Sequence, residues 1–511
     1  MELENENTIS LFFNVDGLPL YKGCSKQFWP ILGKIFNRKH SPSCSAIFVI
    51  AIFCGSSKPA SVEEYLHDFI AELSHLMEVG LTFHGKHYAV DIVGFACDAP
   101  ARAYIKCIKG HTGYFGCEKC EQHGERVDRV MTFPELNAPK RSDESFKNQS
   151  QKGHHKGTSP LLALNIGLVT GFPLDYMHLI CIGVTKKLLI YWIHGEYKVK
   201  ISATQIQVLS ELLLKSSTAV CSEFSRKPRS FQEVDRWKAV EFRNFLLYLG
   251  PVVLRSVLCD DLYHHFMLLS VATTVMLSET LSRTMLTFAS KLLKSFVSEA
   301  CGLYGHDSLV YNMHSLVHLP DDVAHFGTLD RFSCFSFESK LGVIKKQLRS
   351  GARPLAQFCR RHSELSSQKP VTCSKLQSVK THSGIFTVGE EHRSCQSASP
   401  DDRQFYVLAC GQLSFDTRRP ADRYALLRYA TVVEIHNIVY DVKDNDVLLV
   451  CRQFSVASPF YTYPCDSSQL DVWKVTGLTS SYHSYRATDI QSKCMLLQRK
   501  DYYVALPLMH E

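Results

Sequence analysis

A chain of 511 residues, 45% hydrophobic and 21% charged, has the composition of an ordinary folded protein and the length for two or three domains. Its 57 basic and 50 acidic side chains leave a net charge of +7, too mild by itself to demand a nucleic-acid partner. Nineteen cysteines, odd in number and scattered, suit free thiols and one metal site and argue against a secreted disulfide scaffold.

The opening MELENENTIS is polar and acidic, with no cationic segment leading into an apolar run, so neither a secretory signal nor a transit peptide is expected and the chain reads as intracellular. Residues 9–15 read as a strand ending at Asp16-Gly17, where glycine breaks the run and exposes a carboxylate. The apolar stretch 46–54 falls far short of the roughly 20 residues that span a bilayer; it reads as a buried strand, and no membrane association is expected. Ser61 is a plausible N-cap, Glu63 and Glu64 suit a first turn, and Val62, Tyr65, Leu66, Phe69, Ile70, Leu73, Leu76 and Met77 recur at helical spacing up to Gly80. Residues 87–97 read as another buried strand, stopped at Asp98-Ala99-Pro100 because proline cannot donate to a sheet. A second carboxylate therefore stands at a strand end, an order that begins a ribonuclease H-like mixed sheet.

The remaining domain plan follows from composition. The sheet and a Cys-x-x-Cys turn occupy 1–125, and the polar stretch 126–157 is expected to be a mobile loop. Apolar periodic runs at 182–193, 206–214, 242–258 and 266–303 suit packed helices, a large all-helical insertion over 158–305. Residues 306–367 return to the core, 368–400 are Ser, Thr and Lys-rich and read as a linker, and 401–511 alternate short β-rich runs with Asp, Asn and Gly signals, as in a small β-rich domain. The expected fold class is α/β.

Five motifs in sequence order, NVDG (14–17), CDAP (97–100), GHTGYFGCEKC (110–120), LDYMH (174–178) and FESKLG (337–342), resemble those of CACTA or EnSpm-type DNA transposases over roughly residues 10–365. The resemblance implies an RNase H-like core in which Asp16, Asp98 and Glu338 hold two Mg²⁺ or Mn²⁺ ions. In-line cleavage of a phosphodiester needs one ion to activate water or a 3′ hydroxyl and another to stabilise the leaving oxygen, and these hard ions prefer carboxylate oxygen. Taken singly, Asp16 and Asp98 read as turn residues and Glu338 as a first-turn acid near a helix dipole. Trp29-Pro30 also resembles a family feature, although core packing accounts for it.

Cys117 and Cys120, three apart in a turn (here a knuckle), have metal-ligand spacing for one Zn²⁺, with buried unliganded thiols as the other reading. His111, His123, Asp175 and His178 are the candidate further ligands, and the favoured structural zinc set is Cys117, Cys120 and His178. His314 and His318, four apart, would share one helix face toward Glu338, with a structural histidine pair as the plainer reading. From Ser339 to Ser363 the chain carries Lys340, Lys345, Lys346, Arg349, Arg353, Arg360 and Arg361 and no acid, a run that suits DNA phosphates and equally a solvated helix face.

The expected activity is therefore DNA strand cleavage and strand transfer in the nucleus, with DNA as partner and self-association left open. The alternative is a domesticated, transposase-derived nuclear binding protein without catalysis; a nonfunctional remnant is the third reading. Transposases of this kind carry an N-terminal region that binds element ends, whereas here the first catalytic strand lies close to Met1. Recognition is expected from a longer product or from elsewhere, such as the β-rich C-terminal domain. No HExxH, GxxxxGK[ST] or strand-following GxGxxG run supports a zinc hydrolase or a nucleotide-binding enzyme.

Overall fold

In a computed structural model, the described residues are 7–21, 23, 25–36, 47–366, 376–392, 402–410 and 413–509. They divide into two compact units, one of residues 1–184 with 293–370 and the other of 185–292 with 371–511.

The first unit is built on a mixed sheet. Strand β1 (Thr8–Val15) runs antiparallel to β2 (Gln27–Ile35) and parallel to β4 (Lys86–Phe95), while β3 (Phe48–Gly55) pairs with the far side of β2. Short strands Leu18–Pro19 and Leu81–Phe83 extend β2 and β4 respectively. Helix α1 (Val62–Val79) makes the crossover before β4; Ser61 Oγ accepts from the Glu64 N–H at 3.1 Å, and Leu66, Phe69 and Leu73 face the core. Phe13, Phe95, Phe69 and Phe172 form the aromatic centre of that core, Phe95 and Phe172 stacked with ring centres 5.2 Å apart. Gly94 is needed here because a Cβ would stand 2.2 Å from the carbonyl oxygen of Gly171, whose partner is the N–H of Phe95 at 2.8 Å.

The chain then continues through helix α2 (Ala99–Ile105), a packed loop region, and, near its return, helices α3 (Tyr311–Ser315), α4 (Leu319–Phe326) and α5 (Phe335–Lys346). The stretch 126–157, expected to be a mobile loop, is a packed segment: a hairpin of Glu125–Val127 with Val130–Thr132, a short helix Asp143–Lys147, and buried Phe133, Phe146 and His154. Met131, Phe133 and Phe146 supply its buried apolar groups, and Arg141 and His154 bond the Cys117 and Phe115 carbonyls.

The second unit contains helices such as Ala203–Lys215 and Asp260–Leu277, the latter buried on nearly all sides, together with an eleven-stranded antiparallel sheet between Leu376 and Pro507. Strand Asp446–Pro459 pairs with Thr431–Asp441, Trp473–Leu478 and His483–Arg486, and so feeds two apolar cores, one around Val433 and Leu449 and one around Val475 and Leu496. The fully buried Lys493 ammonium donates to Glu223 at 2.9 and 2.8 Å and to Asp422 at 2.8 Å, tying the helical segment to the sheet. Helical residues 185–292 and the β-rich domain thus form one unit, where a helical insertion over 158–305 and a β-rich domain over 401–511 were expected as separate segments. The expected linker 368–400 is likewise corrected: Leu376–Thr381 and Gly384–His392 form a hairpin that joins the sheet, and the rest of that stretch lies outside the described residues. The fold class is mixed α/β with a β-rich C-terminal domain. Among the described residues no helix is long and apolar enough to cross a membrane.

Candidate metal centre and carboxylate cluster

Asp16 follows the last residue of β1, and Asp98 caps α2 by accepting from the Ala101 N–H at 2.7 Å. Because β1 and β4 are parallel neighbours, their ends deliver both acids to the same edge of the sheet. Glu338, in the first turn of α5, completes the group: the charges of Asp98 and Glu338 act on Asp16, and a hydrogen bond links Asp16 to Glu338. Burial first, then these two negative charges, push the Asp16 carboxyl up to about 8, the response expected when like charges share a site without a cation. The plain reading of Asp98 as a capping turn residue also holds, since capping engages its Oδ1 and leaves the second oxygen for other work. Gly17, beside Asp16, is packed against Trp29, whose ring a Cβ would meet at 3.1 Å.

His178 belongs to this region. Its Nδ1 lies 2.6 Å from Asp175 Oδ2, in a chain segment that winds into wide π-type turns over Met177–Thr185. Burial opposes the charged imidazole, but the hydrogen bond and charge of Asp175, with Asp16 and Asp98 beyond, raise it to about 9. Asp175 is fully buried and held below the usual carboxylate range: burial opposes its charge, and the partnership with His178 and the backbone N–H groups of Cys334 and His178 more than offsets it.

The expected zinc set is therefore corrected. His178 pairs with Asp175, and the groups converging on the cysteines are His314 and His318: all four ligand atoms lie within 4.8 Å of one another, and every one of these residues is buried. The separations are 3.4 Å between the sulfurs, 3.2 Å from Cys120 Sγ to His314 Nε2, 3.7 Å from Cys117 Sγ to His318 Nε2 and 3.2 Å between the two Nε2 atoms. A tetrahedral zinc ion with the usual bond lengths requires ligand edges of about 3.3–3.8 Å, so the cluster could hold a metal such as zinc. Burial pushes thiols up, yet hydrogen bonds from Cys120, His314 and His318 hold Cys117 well below the ordinary thiol range, and a thiolate is the form that binds metal. The side-chain amide of Gln122 packs against the ring of His314, with its nitrogen 3.1 Å from Nδ1. The His-x₃-His spacing was the available signal; α3 and the 3₁₀ turn after it carry both rings to the knuckle. Of the other candidate ligands, His123 stacks on Tyr114 and His111 tilts against Tyr311.

The two residues inside the knuckle are buried and paired. Glu118 accepts from Arg102 Nε at 2.8 Å, Lys106 Nζ at 2.9 Å and Tyr311 Oη at 2.7 Å; Lys119 donates to Asp322 at 2.7 Å. In the basic run, Lys345, Lys346, Arg349 and Arg353 are exposed and Lys340 is half-buried. Lys345 donates to the Pro19 carbonyl at 2.6 Å, and Arg360 and Arg361 pair with Glu364.

No curated protein matches the chain. Residues 388–508 match a family model described as a domain of unknown function, DUF8592.

Proposed function

We propose that this chain is a CACTA (EnSpm)-type transposase enzyme with an RNase H-like core, cutting and joining DNA strands with Mg²⁺ or Mn²⁺ in the nucleus. The observation that carries the reading is the meeting of Asp16, Asp98 and Glu338, three acids far apart in sequence: burial first, then the charges of Asp98 and Glu338, push the Asp16 carboxyl up to about 8. The antiparallel pair β2 and β3 beside β1, followed by helix α1 and parallel β4, supports the same core. When bound, two divalent ions would activate the attacking oxygen and stabilise the leaving one. The carboxylates would hold those ions, and His178, cationic near neutral pH, would offset part of their charge. Lys340, Lys346, Arg349 and Arg353 would lie along the DNA backbone, neutralising phosphates without reading bases. Zinc on Cys117, Cys120, His314 and His318 would be structural, since four protein ligands leave no open position.

The test is Mg²⁺- or Mn²⁺-dependent nicking of supercoiled DNA by the full chain, beside Asp16→Asn, Asp98→Asn and Glu338→Gln with folding checked by circular dichroism. Each substitution is expected to reduce cleavage about 10³-fold, or ~4 kcal/mol of barrier. A folded wild type that binds DNA but never cuts it would favour the noncatalytic, transposase-derived binding protein.

A further inference from the structure

Glu118 and Lys119 stand between the two cysteines, and their burial needs an account beyond the knuckle itself. A buried Glu with two cations is no more stabilising than a well-packed apolar cluster of the same volume, so the arrangement points to geometry. The guanidinium of Arg102 is its hub. Nε donates to Glu118 at 2.8 Å and Nη2 to Tyr311 Oη at 3.2 Å; Nη1 donates to the carbonyls of Cys97 at 2.8 Å and Pro173 at 3.4 Å. Each partner adjoins something that matters. Cys97 precedes Asp98, Glu118 lies inside the knuckle, and Tyr311 opens the helix that carries His314. Pro173 leads to Asp175, whose Oδ1 accepts from the Cys334 N–H at 2.7 Å at the start of the helix bearing Glu338. A second route runs from Lys119 through Asp322, which accepts from the Leu174 N–H at 2.8 Å.

We propose that Arg102 is a positioning residue: it couples occupancy of the Cys117, Cys120, His314 and His318 centre to the spacing of Asp98 and Glu338. This rests on the reading of Asp16, Asp98 and Glu338 as divalent-ion ligands. With a metal held by these four side chains, Glu118 in the knuckle and Tyr311 on the His314 helix would be fixed relative to each other. Those two aim the guanidinium fork, and the fork holds the two backbone segments that end in Asp98 and lead to Asp175. Lysine at this position would keep the charge opposite Glu118 but has no planar fork to reach two carbonyls and a phenol at once.

The experiment measures Mn²⁺ binding to the full-length, zinc-loaded chain by the loss of the free-ion electron paramagnetic resonance signal, with zinc content and near-ultraviolet circular dichroism recorded for each sample. Arg102→Lys and Tyr311→Phe are expected to retain one zinc and the wild-type dichroism while binding Mn²⁺ at least tenfold and about threefold more weakly; wild type stripped of zinc should resemble Arg102→Lys. If Arg102→Lys does not fold, Tyr311→Phe decides. Wild-type Mn²⁺ affinity in the folded variants, with Asp98→Asn weakened, would overturn the positioning role alone. Wild-type affinity in Asp98→Asn would overturn the reading of the acids as ion ligands, and this proposal with it.

Discussion

The Cys334 N–H donates to Asp175 Oδ1 at 2.7 Å while His178 Nδ1 sits 2.6 Å from Asp175 Oδ2, so one buried carboxylate anchors both the start of the Glu338 helix and an imidazole whose charge reaches Asp16. Asp175→Ala leaves a buried N–H and an imidazole without their acceptor, at a cost of about 2–4 kcal/mol in urea unfolding. Asp175→Asn keeps an acceptor for Cys334 and should recover roughly half of that loss. Equal stability of the two variants would show that the carboxylate contributes little to the helix start.

The metal centre should bind one zinc per chain. Cys117→Ser and His318→Ala are each expected to abolish stoichiometric zinc in elemental analysis and to lower stability by about 3–4 kcal/mol at zinc concentrations near a thousand times the dissociation constant. His178→Ala should leave the zinc content at one. Loss of zinc from that variant would restore His178 to the ligand set.

Acidity should act on the metal-free protein in a definite direction. Asp16 is raised to about 8 and His178 to about 9, so in both cases the folded state holds a proton more tightly than the unfolded chain. Asp16 contributes stability in full below about pH 4 and loses it as pH rises to 8; His178 contributes in full below about 6.5 and loses it up to 9. Thermal midpoints of metal-free protein should therefore fall between pH 6 and 9, and Mg²⁺ should restore more of the loss at pH 8.5 than at pH 6. A flat profile, or greater Mg²⁺ stabilisation at the acid end, would contradict the raising of Asp16 by burial and by its neighbouring carboxylates.

Within the basic run, the side chains not engaged by a carboxylate of the protein should matter most to DNA. Lys346→Ala and Arg349→Ala are each expected to weaken binding regardless of sequence and to reduce the slope of log affinity against log salt by about 0.9 for each phosphate left unneutralised. Arg360→Ala, whose charge already faces Glu364 at 3.0 Å, should change the slope less. An equal effect from all three would mean that net charge alone drives association.

Much of the first unit was legible because local and long-range signals agree. Ser61, the apolar spacing of α1 and Gly80 mark a helix that forms as read; Asp16 directly follows β1 as read, whereas β4 already ends at Phe95 and Asp98 caps the helix whose first turn holds Pro100. The histidine partners of the knuckle were not legible: Cys120 and His314 are 194 residues apart, and nothing local distinguishes a ligand His-x₃-His from a structural pair. The segment 126–157 misled because its polarity suggested solvent, whereas Arg141 and His154 are polar groups spent on buried carbonyls. Residues 376–392 misled for a related reason: Leu376–Thr381 closes the sheet as an edge strand with its side chains mostly exposed, and such a strand has no need of an apolar pattern.

The long loop between the cysteines and the histidines also sets a timetable for synthesis. With Cys120 made 194 residues before His314, translation at about 5–20 residues per second leaves the thiols roughly 10–40 s without their imidazoles. Asn14 waits longer still for Cys334, 320 residues downstream. The acids cannot gather until Glu338 has been made, so a chain that stops short of His314 completes neither the Cys/His cluster nor the carboxylate cluster.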